Sequence, residues 1–233
     1  MSDKHISSQF DDDFRVLLAR LNELGLLVDG QICRAIDALL GLDSKGAQRV
    51  LANEAEVNAL EVEIDYEITS IIAKRQPVAL DLRLLMAISK SSTNLERIGN
   101  ETDKIARKVL LLIQSRSPRG LPTHELRLAA NLSTELLRRA MKAFSLLNVT
   151  EAMAVLKEQE LGHMEFDEFV GKLIKSMMEN LNATSYCVEL ISLAKSLELI
   201  TDHAKHIAEL VIYVVAGTDV HQTPIDQIES VPK

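Results

Sequence analysis

The chain has 233 residues, a formal net charge of −8, 47% apolar residues, 3% aromatics and no Trp. That length suffices for one or two buried cores, and the acidic balance argues against a nucleic-acid module, which carries a basic stripe. It leaves cations or basic protein surfaces as partners, and a chain rich in Leu, Ala, Ile, Val, Glu and Lys favours helices over sheets.

Taken in chain order, Met1-Ser2-Asp3-Lys4-His5 lacks the apolar stretch of a secretory signal. The longest apolar runs, such as 210–216, are too short to span a bilayer, so a cytoplasmic protein is expected. A first helix is predicted over 8–42, with Asp11, Asp12 and Asp13 suited to its first turn. Gly41 and Asp43-Ser44 mark a turn, with Ser44 as the expected N-cap. A second helix over 45–74 would run about 45 Å as an unbroken rod. Arg75-Gln76-Pro77 ends it, and a third helix follows over 78–114. Residues 115–122, with Pro118, Gly120 and Pro122, read as a linker. Three more helices are predicted over 123–147, 150–180 and 183–216, followed by a loose tail from 217 to 233. Cys33 and Cys187 stand alone on apolar stretches and are expected as reduced core thiols.

The two halves repeat. Leu95, Glu96, Ile98, Ile105, Ala106 and Val109 recur as Leu197, Glu198, Ile200, Ile207, Ala208 and Val211, an offset of 102. Earlier in each half the offset is 105, with Ala47, Val50 and Leu51 recurring as Ala152, Val155 and Leu156. The third helix of each half carries a heptad stripe. One runs Ile88, Ser91, Leu95, Ile98, Thr102, Ile105, Val109, Leu112; the other runs Leu193, Leu197, Ile200, Ala204, Ile207, Val211, Val214. The expected architecture is all-α, two tandem three-helix bundles, divided as 1–117 and 118–233.

Against these stripes, Glu96 and Asp103 fall at heptad position b and Asn100 at f. In the second half Glu198 falls at b and Asp202 and Glu209 at f. All are therefore expected on the outer face of each bundle. Arg97–Glu101, Glu101–Lys104 and Asp103–Arg107 could make ordinary helix-surface pairs. Glu198 and Asp202 are like-charged at i, i+4, an arrangement a cation would relieve. Glu198, Asp202 and His206 at i, i+4 and i+8 are a candidate ligand set. Glu61 and Asp65, again four apart, are further oxygen donors if they face the same way. Mixed carboxylate and imidazole donors admit iron, manganese or zinc.

These stretches resemble the PhoU family. Leu95-Glu96-Arg97-Ile98-Gly99-Asn100 with Lys104-Ile105-Ala106 is similar to one copy of the family signature. Leu197-Glu198, Ile200 and 202–209 are similar to the other. His5 to Phe10, Ile71 to Leu84 and Leu210 to Asp219 resemble the family's amino terminus, helix 2–3 turn and end, so the likeness spans nearly the whole chain. It implies a metal motif of carboxylate, three residues, Asp. That motif falls intact on Glu198 and Asp202, and on Glu96 and Asn100 with Asn replacing Asp. The implied ion is divalent or trivalent, with iron, manganese, zinc and magnesium all open. The resemblance also implies a non-catalytic negative regulator of phosphate-starvation genes. Its implied partners are the ATPase subunit of a phosphate ABC transporter and a sensor histidine kinase. It implies a homodimer that meets the membrane only through those partners, with Asp81, Arg83 and Arg97 as partner-contact residues.

Other signals are weaker. Glu160 and His163 form an E-x-x-H pair, but a ferritin-like di-iron bundle needs two, so an ordinary surface pair is expected. No phosphate-cradling glycine loop occurs. The alternative reading is a diverged metal-binding protein or a bundle-type metal storage or redox enzyme.

Overall fold

A computed structural model describes residues 8–114, 123–221 and 223–228. The expected linker at 115–122 lies outside these, as do the amino-terminal 1–7 and residues 222 and 229–233 of the tail. The elements are α1 (Ser8–Gly41), α2 (Ser44–Ala52), α3 (Glu54–Arg75), α4 (Ala79–Gln114), α5 (Thr123–Leu146), α6 (Val149–Glu179), a 3-10 turn (Leu181–Ala183), α7 (Thr184–Ala216) and α8 (Ile225–Ile228). With α2 and α3 counted as one rod, these are the six long helices of two three-helix repeats.

The second rod is not continuous, as the sequence reading has it. Asn53 interrupts it: its N–H reaches back only three residues to Val50 O, and its carbonyl accepts from Glu56 N at 3.1 Å. The same carbonyl accepts from Gln31 Nε2 at 3.2 Å. Gln31 is fully buried in α1, and a buried amide needs a partner. The break exposes a backbone oxygen that supplies one. The N-cap of α2 is Asp43 rather than Ser44, its carboxylate accepting from Lys45 N at 3.0 Å. Asn148 does the same for α6, accepting from Glu151 N at 3.1 Å. The residue before each cap, Leu42 and Leu147, sits at φ 48°, so the repeats share their turn geometry.

Helices α4 and α7 run antiparallel at the centre. Arg83 pairs with Val214, Asn94 with His203 and Lys108 with Glu189, the numbers rising along one helix as they fall along the other. Since α4 and α7 are equivalent helices of the two repeats, the halves meet about a local twofold. A second antiparallel seam joins α1 to α5 through the bidentate Asp29–Arg138 pair and the Ser145–Asn22 hydrogen bond. Every residue of the two heptad stripes is buried, and one apolar core runs through both halves.

This central position overturns the expectation of an outer carboxylate face. A helix with neighbours on several sides buries more than its a/d seam. Helix α4 packs against α1, α2, α3 and α7, and α7 against α4, α5 and α6. Asp103, Glu198 and Glu209 are consequently 4%, 5% and 6% exposed. The tail is also less loose than expected: α7 ends at Gly217 with φ 75°, and Val220 and Ile228 then insert into the core. Cys187 is a buried thiol, whereas Cys33 is only half-buried, beside Arg138; both are free.

Candidate functional site

In the second half, α6 runs against the face of α7 that carries Glu198 and Asp202. Gln159 donates from its buried amide to Asp202 Oδ1 at 2.7 Å. One turn along α6, His163 Nδ1 lies 2.5 Å from Glu198 Oε1, and its Nε2 lies 4.0 Å from Asp167. Lys195 Nζ is 2.5 Å from the other oxygen, Glu198 Oε2. Burial pushes the Asp202 carboxyl above the usual carboxylate range, and the negative charge of Glu198 adds to the effect. A cavity of about 330 Å³ opens beside the pair, lined by Glu160, His163, Asp202, Lys205 and residues 223–225. His163 is at the surface as expected, and from there it reaches across to a buried glutamate.

The first half repeats the plan with α3 against α4. Ser89 donates to Asp65 at 2.8 Å and Thr93 to Glu61 at 3.4 Å, so both acids face α4. Burial raises the Glu61 carboxyl, and the charges of Asp65 and Glu96 raise it further. The 102-residue offset relates Glu61 to His163, Asp65 to Asp167, Glu96 to Glu198 and Asn100 to Asp202. Four donors on two helices therefore occur in each half. Their chemistry differs at one point: Asn100 Nδ2 donates to Glu96 Oε1 at 2.7 Å, so an amide N–H already occupies that oxygen.

The fit to the implied metal can be read from the donors. In the second half His163 meets Glu198, while Asp202 accepts from Gln159, and the three do not bring their ligand atoms within 4.8 Å of one another. A cation bound there would compete with His163 and Lys195, which already lie against the two Glu198 oxygens. The donor set suits a first-row divalent ion. In the first half the neutral Asn100 amide removes a charge and engages Glu96, which suits a hard cation less well.

The remaining sequence candidates fall elsewhere. Asp103 faces Glu54 of α3 across a buried contact, and its carboxyl is pushed up to about 7 by burial first and then by Glu54, with Arg107 opposing. Arg107 itself reaches Glu54 at 3.7 Å rather than Asp103, and Lys104 holds Glu101 at 2.6 Å as expected. His206 lies apart from the cavity beside Asp202. It lines a separate one between α4 and α7, with Arg97, Glu209 and His221. Arg83 donates from Nε to Val214 O at 3.2 Å, capping the end of α7 from the start of α4. Asp81 is half-buried in the first turn of α4, its N–H bonded to Val78 O at 3.2 Å. Sequence reasoning missed His163 and Gln159 as neighbours of the pair. The repeat offset applied to Glu61 would have found His163.

A duplicated three-helix unit, joined through its third helices and carrying an acid-lined helix pair in each half, defines an all-helical repeat protein. The PhoU domain model matches it twice, over residues 21–109 and 126–211. The chain is 42% identical over 229 residues to a Burkholderia phosphate-specific transport system accessory protein PhoU homolog, covering 98% of this chain and 97% of that one. It is 34% identical over 227 residues to the Escherichia coli K12 phosphate-specific transport system accessory protein PhoU, covering 97% and 93%. The crystal structure of PhoU from Pseudomonas aeruginosa superposes with a TM-score of 0.85 at 38% identity, covering 90% of this chain and all of that one. The chain belongs to the PhoU family.

Proposed function

We propose that this protein is an accessory regulator of a phosphate transport system. It acts without catalysis, as a scaffold between the transporter's ATPase subunit and a sensor histidine kinase, and keeps phosphate-starvation genes off when phosphate is plentiful. The observation that carries the reading is end-to-end similarity to relatives named as phosphate transport accessory proteins. The surface supports a scaffold. Val62 on α3 and its repeat equivalent Met164 on α6 are both strongly exposed, as are Tyr66 on α3 and Leu161 and Met178 on α6; exposed apolar side chains on the equivalent helix of each half suit protein contact. The homodimer and the contacts of Asp81, Arg83 and Arg97 with partners belong to the same proposal, Arg83 being the least available because it caps α7.

Within this reading a divalent or trivalent cation sits at Glu198 and Asp202, with His163 as a further donor and a weaker counterpart at Glu96 and Asn100. Among the described residues no helix is long and apolar enough to cross a membrane, and in this reading the protein meets the membrane through its partners. The test is a phosphate-starvation reporter in cells lacking the gene, grown in abundant phosphate. Constitutive expression, reversed by the intact gene, is the expected result; a silent reporter rejects the regulator role. Complementation with Glu198→Gln plus Asp202→Asn, checked for helicity, should fail. Full complementation would remove the cation site from the mechanism.

A further inference from the structure

The end of α7 and the turn after it build a second donor cluster that the carboxylate pairs do not use. His206 and Glu209 lie on α7, and His221 follows four residues after the cap at Gly217. One ligand atom from each lies within 4.8 Å of the others. The His206 and His221 rings meet edge to face with centroids 4.8 Å apart. Glu209 Oε2 is 3.0 Å from His221 Nδ1, and this carboxylate is 6% exposed.

Three features separate the cluster from an ordinary surface group. First, it is absent from the repeat: the 102-residue offset maps His206 and Glu209 onto Lys104 and Arg107, so an acid and an imidazole stand where the first half has two cations. Second, its ligands come from two elements, and the segment that brings His221 is anchored. Asp219 Oδ1 accepts from His221 N at 2.9 Å, while neighbouring Val220 is buried in the core. Third, the donors border a cavity of about 330 Å³ rather than open solvent, with Asn94, Arg97 and Tyr213 on its walls. There is room for a metal and a bound water.

We propose that His206, Glu209 and His221 form a zinc-class transition-metal site. Two imidazoles and one carboxylate match zinc and its borderline neighbours and disfavour magnesium or calcium, which take oxygen donors. With bonds of about 2.0–2.1 Å, tetrahedral ligand atoms stand about 3.3 Å apart. Metal binding would therefore draw the three ligand atoms, now within 4.8 Å of one another, closer together. Three protein ligands leave the fourth position open to the cavity. The bound metal would clip the carboxy-terminal strap onto α7. That strap lines this cavity with residues 219 and 221 and the cavity beside Asp202 with residues 223–225, so the clip would fix one wall of each.

The experiment uses the full-length protein stripped with chelator. Zinc is titrated in competition with a chromophoric chelator, and cobalt(II) is titrated with its visible spectrum recorded. Wild type should bind zinc and give the intense bands of tetrahedral cobalt. His221→Gln, at an exposed position, and His206→Gln should each weaken zinc at least about tenfold, the scale on which even outer-shell partners matter, and abolish those bands. Glu198→Gln plus Asp202→Asn should leave the bands intact. Zinc affinity and cobalt bands in His221→Gln equal to wild type would overturn the site. So would bands lost only in the Glu198/Asp202 variant, or a wild type that binds no zinc.

Discussion

At the residue scale, the same backbone strain recurs at the turn before the second rod of each repeat. Leu42 holds φ at 48°, a left-handed conformation that costs a β-carbon residue about 1 kcal/mol and glycine almost nothing. Its side chain is 47% exposed, so little packing would be lost on removing it. Leu42→Gly should therefore stabilise the protein, by up to about 1 kcal/mol after the greater freedom of glycine in the unfolded chain is offset. The check is the urea midpoint at unchanged m-value. Leu147, at the same φ, is half-buried against the core, so Leu147→Gly should gain less or lose. A uniform effect at both turns would contradict the account.

At the element scale, α7 ends without a basic residue in its own last turn, and α4 provides one. Arg83 Nε donates to Val214 O, and the guanidinium lies 3.5 Å from where a Cβ on Gly217 would sit. Gly217→Ala should cost about 1 kcal/mol from the positive φ alone, and Arg83→Met should cost about 1 kcal/mol through the lost cap. Thermal melts of the two single variants and the double variant check this. The double should fall short of the sum, because both act on one contact. The elements themselves were legible in the sequence. The stripes from Ile88 and from Leu193 identify the two central helices, and Pro77 and the turns at 43 and 148 bound their neighbours. The break at Asn53 was not legible, because the group that uses its freed carbonyl, Gln31, lies in another helix. Nor was the burial of Asp103, Glu198 and Glu209. A heptad assigns one inward seam, and which other faces are covered depends on how many helices surround the rod. Of the candidate site, Glu198 and Asp202 could be read from spacing, while Gln159 and His163 become partners only when α6 is laid on α7.

At the scale of the whole molecule, two buried titrations act on stability in opposite directions. His203 belongs to the seam between the halves. Asn94 Nδ2 donates to Lys90 O at 2.8 Å, which leaves Asn94 Oδ1 to accept from His203 Nδ1–H at 3.0 Å. That contact places a proton on Nδ1 of the ring. Burial, reinforced by His206 and Arg97, lowers its pKa to about 4 from 6.5. Below pH 6.5 the unfolded chain binds a proton the native seam refuses, so this residue removes stability as pH falls from 6.5 to 4. Asp103 does the reverse. Its carboxyl is pushed up to about 7 from 3.8, so the native state takes the proton first. Stability from that group is full below pH 3.8 and is lost as pH rises through 7. The two contributions oppose one another over most of the range between, and the wild-type profile should be shallow there. Asp103→Asn removes the group that gains on acidification. It should stabilise the protein at pH 8 by roughly 1–3 kcal/mol, the scale of an unsatisfied buried polar group, and should expose a steeper loss from pH 6.5 to 4. His203→Asn keeps a donor for Asn94 without a titration, and should instead leave stability rising on acidification over the same range. Urea midpoints of the three proteins at pH 4.5, 6 and 8 decide it. Parallel profiles would mean that neither group is buried in the charge state the packing requires.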